Sequence, residues 1–352
     1  MNLGQFNPAK ILSHWNTLGA ILENQNPPPV TCGFDASNSC NHDCIWCMCR
    51  DFKERKNTVM PPEIMFDLIQ ELGAGGVKSI TFTGGGEPLV NPATSEGLYR
   101  ARKAGLEVGL ITNGGLMRDV SKAIVDTCKF VRISLDAANH ETHTRLHRPK
   151  DLPKDNFGRI LENIEAVISL RKRANKQLTV GVSFLAHLYN FTEIYETAIL
   201  VKKLGVDYIQ IRPALPWTGE LMRETQSWSL IQSQIERSQE LEDSRFSVFS
   251  ILHKFNKGST TERAYSRCLA HSLISIIGAD CNVYLCCQFR GDIKFSFGDL
   301  RKKSFFEIWD GEERKRIIKR ISLEDCPPCR YAGYNELLHC LNNQEKIHKN
   351  FL

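Results

Sequence analysis

Three cysteines and one glutamate carry the chemistry that can be read first from this chain. They are Cys40, Cys44 and Cys47 in Cys40-Asn-His-Asp-Cys44-Ile-Trp-Cys47, and Glu87 in Gly84-Gly-Gly-Glu87-Pro88. Three thiolates at this spacing can close on one face of an iron–sulfur cube, and because there are only three, the fourth iron is left without a protein ligand. An open iron binds a small molecule, whereas a fully ligated cluster mainly passes electrons. The alternative is a structural zinc site or a set of buried thiols. Zinc sites usually take four protein ligands. His42 is the candidate for a fourth, but it sits inside the tight Cys40–Cys44 loop, where its ring would strain against the cysteines.

The elements that must hold these residues alternate regularly. Short β-branched runs lie at Val30–Ala36, Val77–Thr83, Glu107–Thr112, Phe130–Leu135, Leu178–Leu185 and Tyr208–Ile211. Helical patterns separate them: Ile64, Met65, Leu68, Ile69 and Leu72 share one face, and so do Ile194, Ala198, Val201 and Leu204. Six such units predict an α/β fold, a parallel sheet with right-handed crossovers curled into a partial (β/α)6 TIM-like barrel. The motifs follow strands, at the C-terminal rim where barrel enzymes build their sites.

The cysteine triplet with its Gly-Gly-Glu-Pro turn resembles the radical S-adenosylmethionine (SAM) superfamily, whose core is an incomplete six-unit barrel. The resemblance implies a 4Fe–4S cluster whose open iron chelates SAM, and cleavage of SAM by one electron to a 5′-deoxyadenosyl radical. It implies that Trp46 packs on the adenine side of SAM. It also implies that the turn Gly84, Gly85 and Gly86 binds the SAM amino group, with Glu87 nearby as an acceptor. Thr112 and Asn113 end the third strand, and Ser134 and Asp136 end the fourth. The resemblance assigns the Ser134/Asp136 stretch to the SAM carboxylate and ribose; the competing reading makes these two a cap for the next helix. Arg145, or Arg148, is available to grip that carboxylate bidentately.

His143 and His147, four residues apart, have metal-ligand spacing but lack an accompanying acid or third ligand, and are expected at the surface or against substrate. Gly73-Ala-Gly-Gly-Val-Lys-Ser79 lacks the Gly-Lys-Ser/Thr ending of a phosphate loop and precedes a strand, so it is excluded as one.

A second cysteine set, Cys268, Cys286, Cys326 and Cys329, lies beyond a change of pattern at Pro216. It resembles the twitch form of the SPASM domain, a small α+β unit in which four cysteines hold one auxiliary 4Fe–4S cluster. Where a full SPASM domain carries a further cysteine, this chain has Asn335. Cys287 could replace Cys286 as ligand, and zinc on the same thiolates is the alternative. Four protein ligands close the cluster and favour electron transfer. Cys281, Cys287 and Cys340 remain as candidate hydrogen-atom donors, although burial as plain core cysteine is the commoner fate.

The boundaries expected are an N-terminal extension over 1–29, the radical SAM core over 30–215, a connecting segment over 216–265 with a helix at 225–243 and a strand at 245–255, the auxiliary-cluster domain over 266–340, and a tail over 341–352. In 352 residues with a net charge of +5, the basic clusters at 171–173, 301–303 and 314–316 read as solvated faces, which argues against a nucleic-acid partner. No apolar run is long enough for a membrane span and no signal-peptide pattern opens the chain. Thirteen cysteines then argue for metal sites in a reducing cytoplasm.

The expected reaction is hydrogen abstraction from a small polar substrate such as a sugar or aminocyclitol. Oxidation through the auxiliary cluster or epimerisation would follow, with a flavodoxin- or ferredoxin-type electron donor. Gln210 and Arg212 on the last barrel strand are expected to face the mouth, Arg212 toward an anionic substrate group. The alternatives are epimerisation or cross-linking of a ribosomally made peptide, disfavoured by the short N-terminal extension, and a non-catalytic iron–sulfur carrier.

Overall fold

The computed structural model describes residues 5–50, 57–150, 155–214, 225–250, 263–324, 326–327 and 329–342. Six parallel strands run in chain order: β1 (Thr31–Asp35), β2 (Ser79–Thr83), β3 (Glu107–Thr112), β4 (Cys128–Ser134), β5 (Thr179–Ala186) and β6 (Tyr208–Pro213), each paired with the next. Between them lie helices Pro62–Ala74, Thr94–Lys103, Ser121–Thr127, His140–His147, Asn156–Arg173 and Ile194–Leu204. Proline starts the first of these, and Met65, Leu68, Ile69 and Leu72 form its buried stripe. Gly205, at φ 86°, closes the last.

Strand residues alternate between two environments. Phe34, Val131, Ile133, Ile209 and Ile211 join the helix side chains in the principal apolar core. Their neighbours Asp35, Arg132, Ser134, Gln210 and Arg212 therefore point to the other, concave side. The sheet is open at both ends, which makes the barrel a partial one.

The sheet does not stop at six strands. β7 (Ser247–Ser250) pairs parallel with β6, and residues 251–255 of the longer strand expected here lie outside the described residues. β8 (Ile274–Ile277) pairs parallel with the free edge of β1. β9 (Asn282–Tyr284) and β10 (Ser296–Asp299) follow antiparallel. The order is β10-β9-β8-β1-β2-β3-β4-β5-β6-β7, so the C-terminal cysteine region continues the barrel sheet and satisfies the backbone groups that an open barrel would leave exposed on β1.

The N-terminal segment is a 3₁₀ turn over Pro8–His14 and a helix over Trp15–Leu22. Its Ile11, Leu18 and Ile21 pack on Leu269, Leu273 and Leu338, so it belongs to the C-terminal region's core. The expected helix at 225–243 spans Thr225–Gln239. The tail beyond Asn342, like residues 215–224, lies outside the described residues.

One expectation about charge fails. Arg314 is buried, its guanidinium 3.7 Å over the Trp309 ring and donating to Asn26 Oδ1 at 2.6 Å. An arginine's planar head stacks on an aromatic face while its donors reach a polar partner, and this gives it a place inside. Arg171 is likewise largely covered, pairing with Asp207 and donating to the Leu178 carbonyl at 2.7 Å. Among the described residues no helix is long and apolar enough to cross a membrane.

Candidate functional site

The triplet loop leaves the end of β1 and is stitched to two neighbours. Gly86 N donates to Ser37 O and Glu87 N to Ser39 O, both at 2.9 Å. Opposite, Asp43 N and Ile45 N donate to the carbonyls of His147 and Leu146, each at 3.0 Å. Cys40, Cys44 and Cys47 are half-buried free thiols. A Cβ on Gly86 would fall 2.1 Å from Ser39 O, so glycine here serves the approach of the cysteine loop itself.

Glu87 is fully committed within the protein. Its Oε1 accepts from Leu89 N at 3.1 Å and Thr112 Oγ1 at 2.7 Å, and its Oε2 from Asn113 N at 2.8 Å. Burial pushes its carboxyl up to about 7, although the Asn113 amide, the Thr112 hydroxyl and the Leu89 amide all favour the anion. Asn113 in turn donates from Nδ2 to Asn41 Oδ1 at 2.7 Å. Glu87 thereby locks the ends of β2 and β3 together, and Asn113 holds the residue next to Cys40.

Asp136 accepts from Leu185 N at 2.6 Å and faces His147 Nε2 at 3.2 Å. The other ring nitrogen, Nδ1, lies 3.3 Å from Cys44 Sγ. Burial pulls the His147 imidazole down, but the Cys44 thiolate and the Asp136 carboxylate outweigh it and raise it to about 10. His143 stacks on His147 at 4.5 Å and bonds Asn156 Oδ1 through Nε2 at 2.9 Å. Burial, with His147 beside it, lowers His143 to about 3. Both histidines are therefore internal and not at the surface: they sit on the buried face of a helix whose periodicity alone does not say which face is covered. His42 joins them, and one ligand atom each from His42, Cys44 and His147 lies within 4.8 Å of the others.

Neither Ser134 nor Asp136 caps the following helix; Asn139 does, accepting from Thr142 N at 2.9 Å. Arg145 is exposed, donates to Tyr189 O at 2.9 Å and lies over the Tyr189 ring. Arg148 is the left-handed residue ending that helix, its carbonyl accepting from Asp43 N. Trp46 is half-buried, 5.6 Å from His187 and 6.1 Å from His147.

The second cysteine set lines a recess formed by Cys268, Cys286, Cys326 and Cys329 together with Arg263, Tyr265 and Tyr331. Arg263 fixes the Cys326 turn by donating to Cys326 O at 2.7 Å and Pro327 O at 3.1 Å. Asn335 accepts the amides of Leu269 at 2.7 Å and Ala270 at 2.8 Å through Oδ1, and so clamps the Cys268 loop where a cysteine ligand was absent. The donor set fits a closed cubane: four thiols on one recess, none in a disulfide. Burial raises the Cys268 thiol to about 11, so a cation is what would ionise it.

Cys287 turns away from that recess to pack with Ile276, Tyr284 and Tyr331, within the field of Arg330 and Arg212. Cys281 occupies the turn between β8 and β9 at φ 63°, and Cys340 is exposed on the helix Ala332–Asn342. Arg290, three residues past Cys287, ties this region to the barrel. Its Nε is 2.6 Å from the buried Asp35 carboxylate, and it donates to Gly84 O at 3.3 Å. Sequence reasoning passed over Asp35, Arg290 and Arg132, and weighed His147 without its partners Cys44 and Asp136; the buried charge inside a strand pattern, at Asp35 and Arg132, was the signal on offer.

A family model described as "Radical SAM superfamily" matches residues 36–198, and one described as "Iron-sulfur cluster-binding domain" matches 268–331. Over 199 residues the chain is 28% identical to the antilisterial bacteriocin subtilosin biosynthesis protein AlbA of Bacillus subtilis, 54% of this chain but only 40% of that protein's length. Over 322 residues it is 22% identical to the tungsten-containing aldehyde ferredoxin oxidoreductase cofactor-modifying protein of Pyrococcus furiosus, covering 84% of this chain and 85% of that one. Streptococcus suis SuiB bound to the precursor peptide SuiA shares the fold with a TM-score of 0.64 at 13% identity, over 90% of this chain and 72% of that one. The cofactors of this family are a 4Fe–4S cluster, SAM and an auxiliary cluster. With both models matched in order along one continuous sheet, the chain belongs to the radical SAM superfamily and carries a C-terminal SPASM-type iron–sulfur cluster-binding region.

Proposed function

We propose that this radical SAM enzyme abstracts hydrogen from a small polar substrate held in the concave face of the sheet, followed by oxidation or epimerisation. The observation that carries the reading is the difference between the two thiol sets. Cys40, Cys44 and Cys47 supply three ligands, and Cys268, Cys286, Cys326 and Cys329 line one recess as four. When bound, the three-ligand cluster and SAM supply a 5′-deoxyadenosyl radical, and the four-ligand cluster supplies a one-electron acceptor.

The protein's task is orientation and exclusion of water. Asn113 and the Gly84–Glu87 turn brace the triplet loop, and His147 donates a hydrogen bond toward Cys44. Trp46, Ser134 and the turn glycines are the SAM contacts in this reading. Asp136 and Glu87 act through the residues they hold. Cys286 is the auxiliary ligand, since Cys287 packs elsewhere. If the outcome is epimerisation, Cys287 is the best-supported hydrogen donor of the three candidates, being the one beside Arg212 and Arg330. The electron donor is a flavodoxin or ferredoxin.

The second reading is modification of a ribosomally made peptide, favoured by a relative named for bacteriocin biosynthesis. Anaerobically reconstituted, reduced protein is expected to form 5′-deoxyadenosine from SAM. No cleavage would leave only an iron–sulfur carrier. Deuterium passing from a candidate metabolite, but not from a precursor peptide, into 5′-deoxyadenosine supports the first reading over the second.

A further inference from the structure

The concave face of the sheet carries more positive charge than its own acids offset. Tyr208, Gln210 and Arg212 alternate along β6 and share that face. Arg132 reaches across β5 from β4 to donate to Gln210 Oε1 at 3.3 Å, and it also bonds the Tyr208 hydroxyl. Gly181 of β5 makes this span accessible, because a Cβ there would lie 2.0 Å from the Tyr208 ring. Among the described residues Arg132 thus has neutral hydrogen-bond partners, Gln210 and Tyr208.

The buried acids nearby are taken. Asp35 pairs with Arg290, and Asp136 with His147. Arg212 has a buried Nε with no hydrogen-bond partner, and no ion pair to it is found among the described residues. Burial first, then the fields of Arg132 and Arg330, press it down to about 9. Arg330 is exposed, and its charge reaches Cys287, Arg290 and Arg212. Arg212 is half-buried with its Nε covered and unpartnered; a guanidinium partly withdrawn from water without an anion is costly, and its fork geometry matches a carboxylate or phosphate.

Resting on the proposed reaction, we infer that the substrate carries an anionic group, a carboxylate or a phosphate. Arg212 receives it bidentately, with Arg330 and Arg132 supplying the surrounding positive field. This anion is distinct from the SAM carboxylate, and the inference makes Arg212 a specificity-determining residue.

The test is anaerobic calorimetric titration of reconstituted, SAM-saturated protein, repeated without SAM, using inorganic phosphate, pyrophosphate and succinate as probes. At least one probe is expected to bind saturably, and whether phosphate or succinate wins names the class. Arg212→Gln should weaken that binding by about tenfold or more, and Arg212→Lys should recover part of it because it keeps the charge but loses the fork. Affinity for SAM should be the same in all three proteins. The inference is overturned if no probe binds the wild type, if Arg212→Gln binds the probes undiminished, or if Arg212→Gln loses SAM instead. The titration needs no turnover, so a failure of SAM cleavage and a failure of this site are separately visible.

Discussion

Cys44 Sγ and His147 Nδ1 lie 3.3 Å apart, and the far side of the same ring faces Asp136 Oδ2 at 3.2 Å. A carboxylate on one nitrogen fixes the ring so that the other can donate to sulfur, an arrangement that tunes metal-bound ligands. Drawing electron density from a cluster thiolate makes the cluster easier to reduce. His147→Phe is therefore expected to lower the midpoint potential of the SAM-binding cluster in an EPR-monitored redox titration. SAM cleavage should fall by about 10–100-fold. An unchanged potential would mean the histidine is merely packed there.

The two cysteine sets should separate cleanly under mutation. Cys44→Ala is expected to abolish 5′-deoxyadenosine formation. Cys329→Ala should reduce iron from about eight to about four per chain while SAM cleavage persists. Zinc in the wild-type protein would retire the electron-acceptor role.

Asn335 offers a sharper probe of the auxiliary recess, because it clamps the Cys268 loop without being a ligand. Asn335→Leu leaves the Leu269 and Ala270 amides unpaired, at a cost of about 1–3 kcal/mol each. Lower auxiliary-cluster occupancy with a normal SAM-binding cluster, resolved by Mössbauer spectroscopy, is the expected result. Equal loss of both would point to general unfolding.

Glu87 ties stability to pH. Its carboxyl rises from 4.5 to about 7 on folding, so the folded state holds the proton more tightly than the unfolded one. The stability it contributes is present below 4.5 and is lost as pH rises through about 7. Glu87→Gln keeps an acceptor for Thr112 but sets an amide N–H against that of Asn113, a loss of about 1–3 kcal/mol. The gap in melting temperature between wild type and Glu87→Gln should therefore narrow between about pH 5 and about pH 8. A constant gap would contradict the raised carboxyl.

Much of this molecule was legible in its residues. The strand and helix periods of the barrel came through because alternation and 3.6-residue spacing are local consequences of backbone geometry. The thiol triplet and the Cys326–Cys329 pair were readable for the same reason, since ligand spacing is a property of a short stretch of chain. Which face of the helix His140–His147 is covered is not local, so His147 looked peripheral and Arg145 looked available. That Cys286 lines the auxiliary recess while Cys287 packs with Ile276 and Tyr284 depends on which way each of two adjacent side chains turns after β9. That β8 extends the sheet along β1, and that Arg290 meets Asp35 across 255 positions of sequence, follows from strand pairing and burial that only the closed chain creates. Identity and spacing specify the reactive groups; tertiary packing decides their partners, because burial and field belong to neighbours far along the chain.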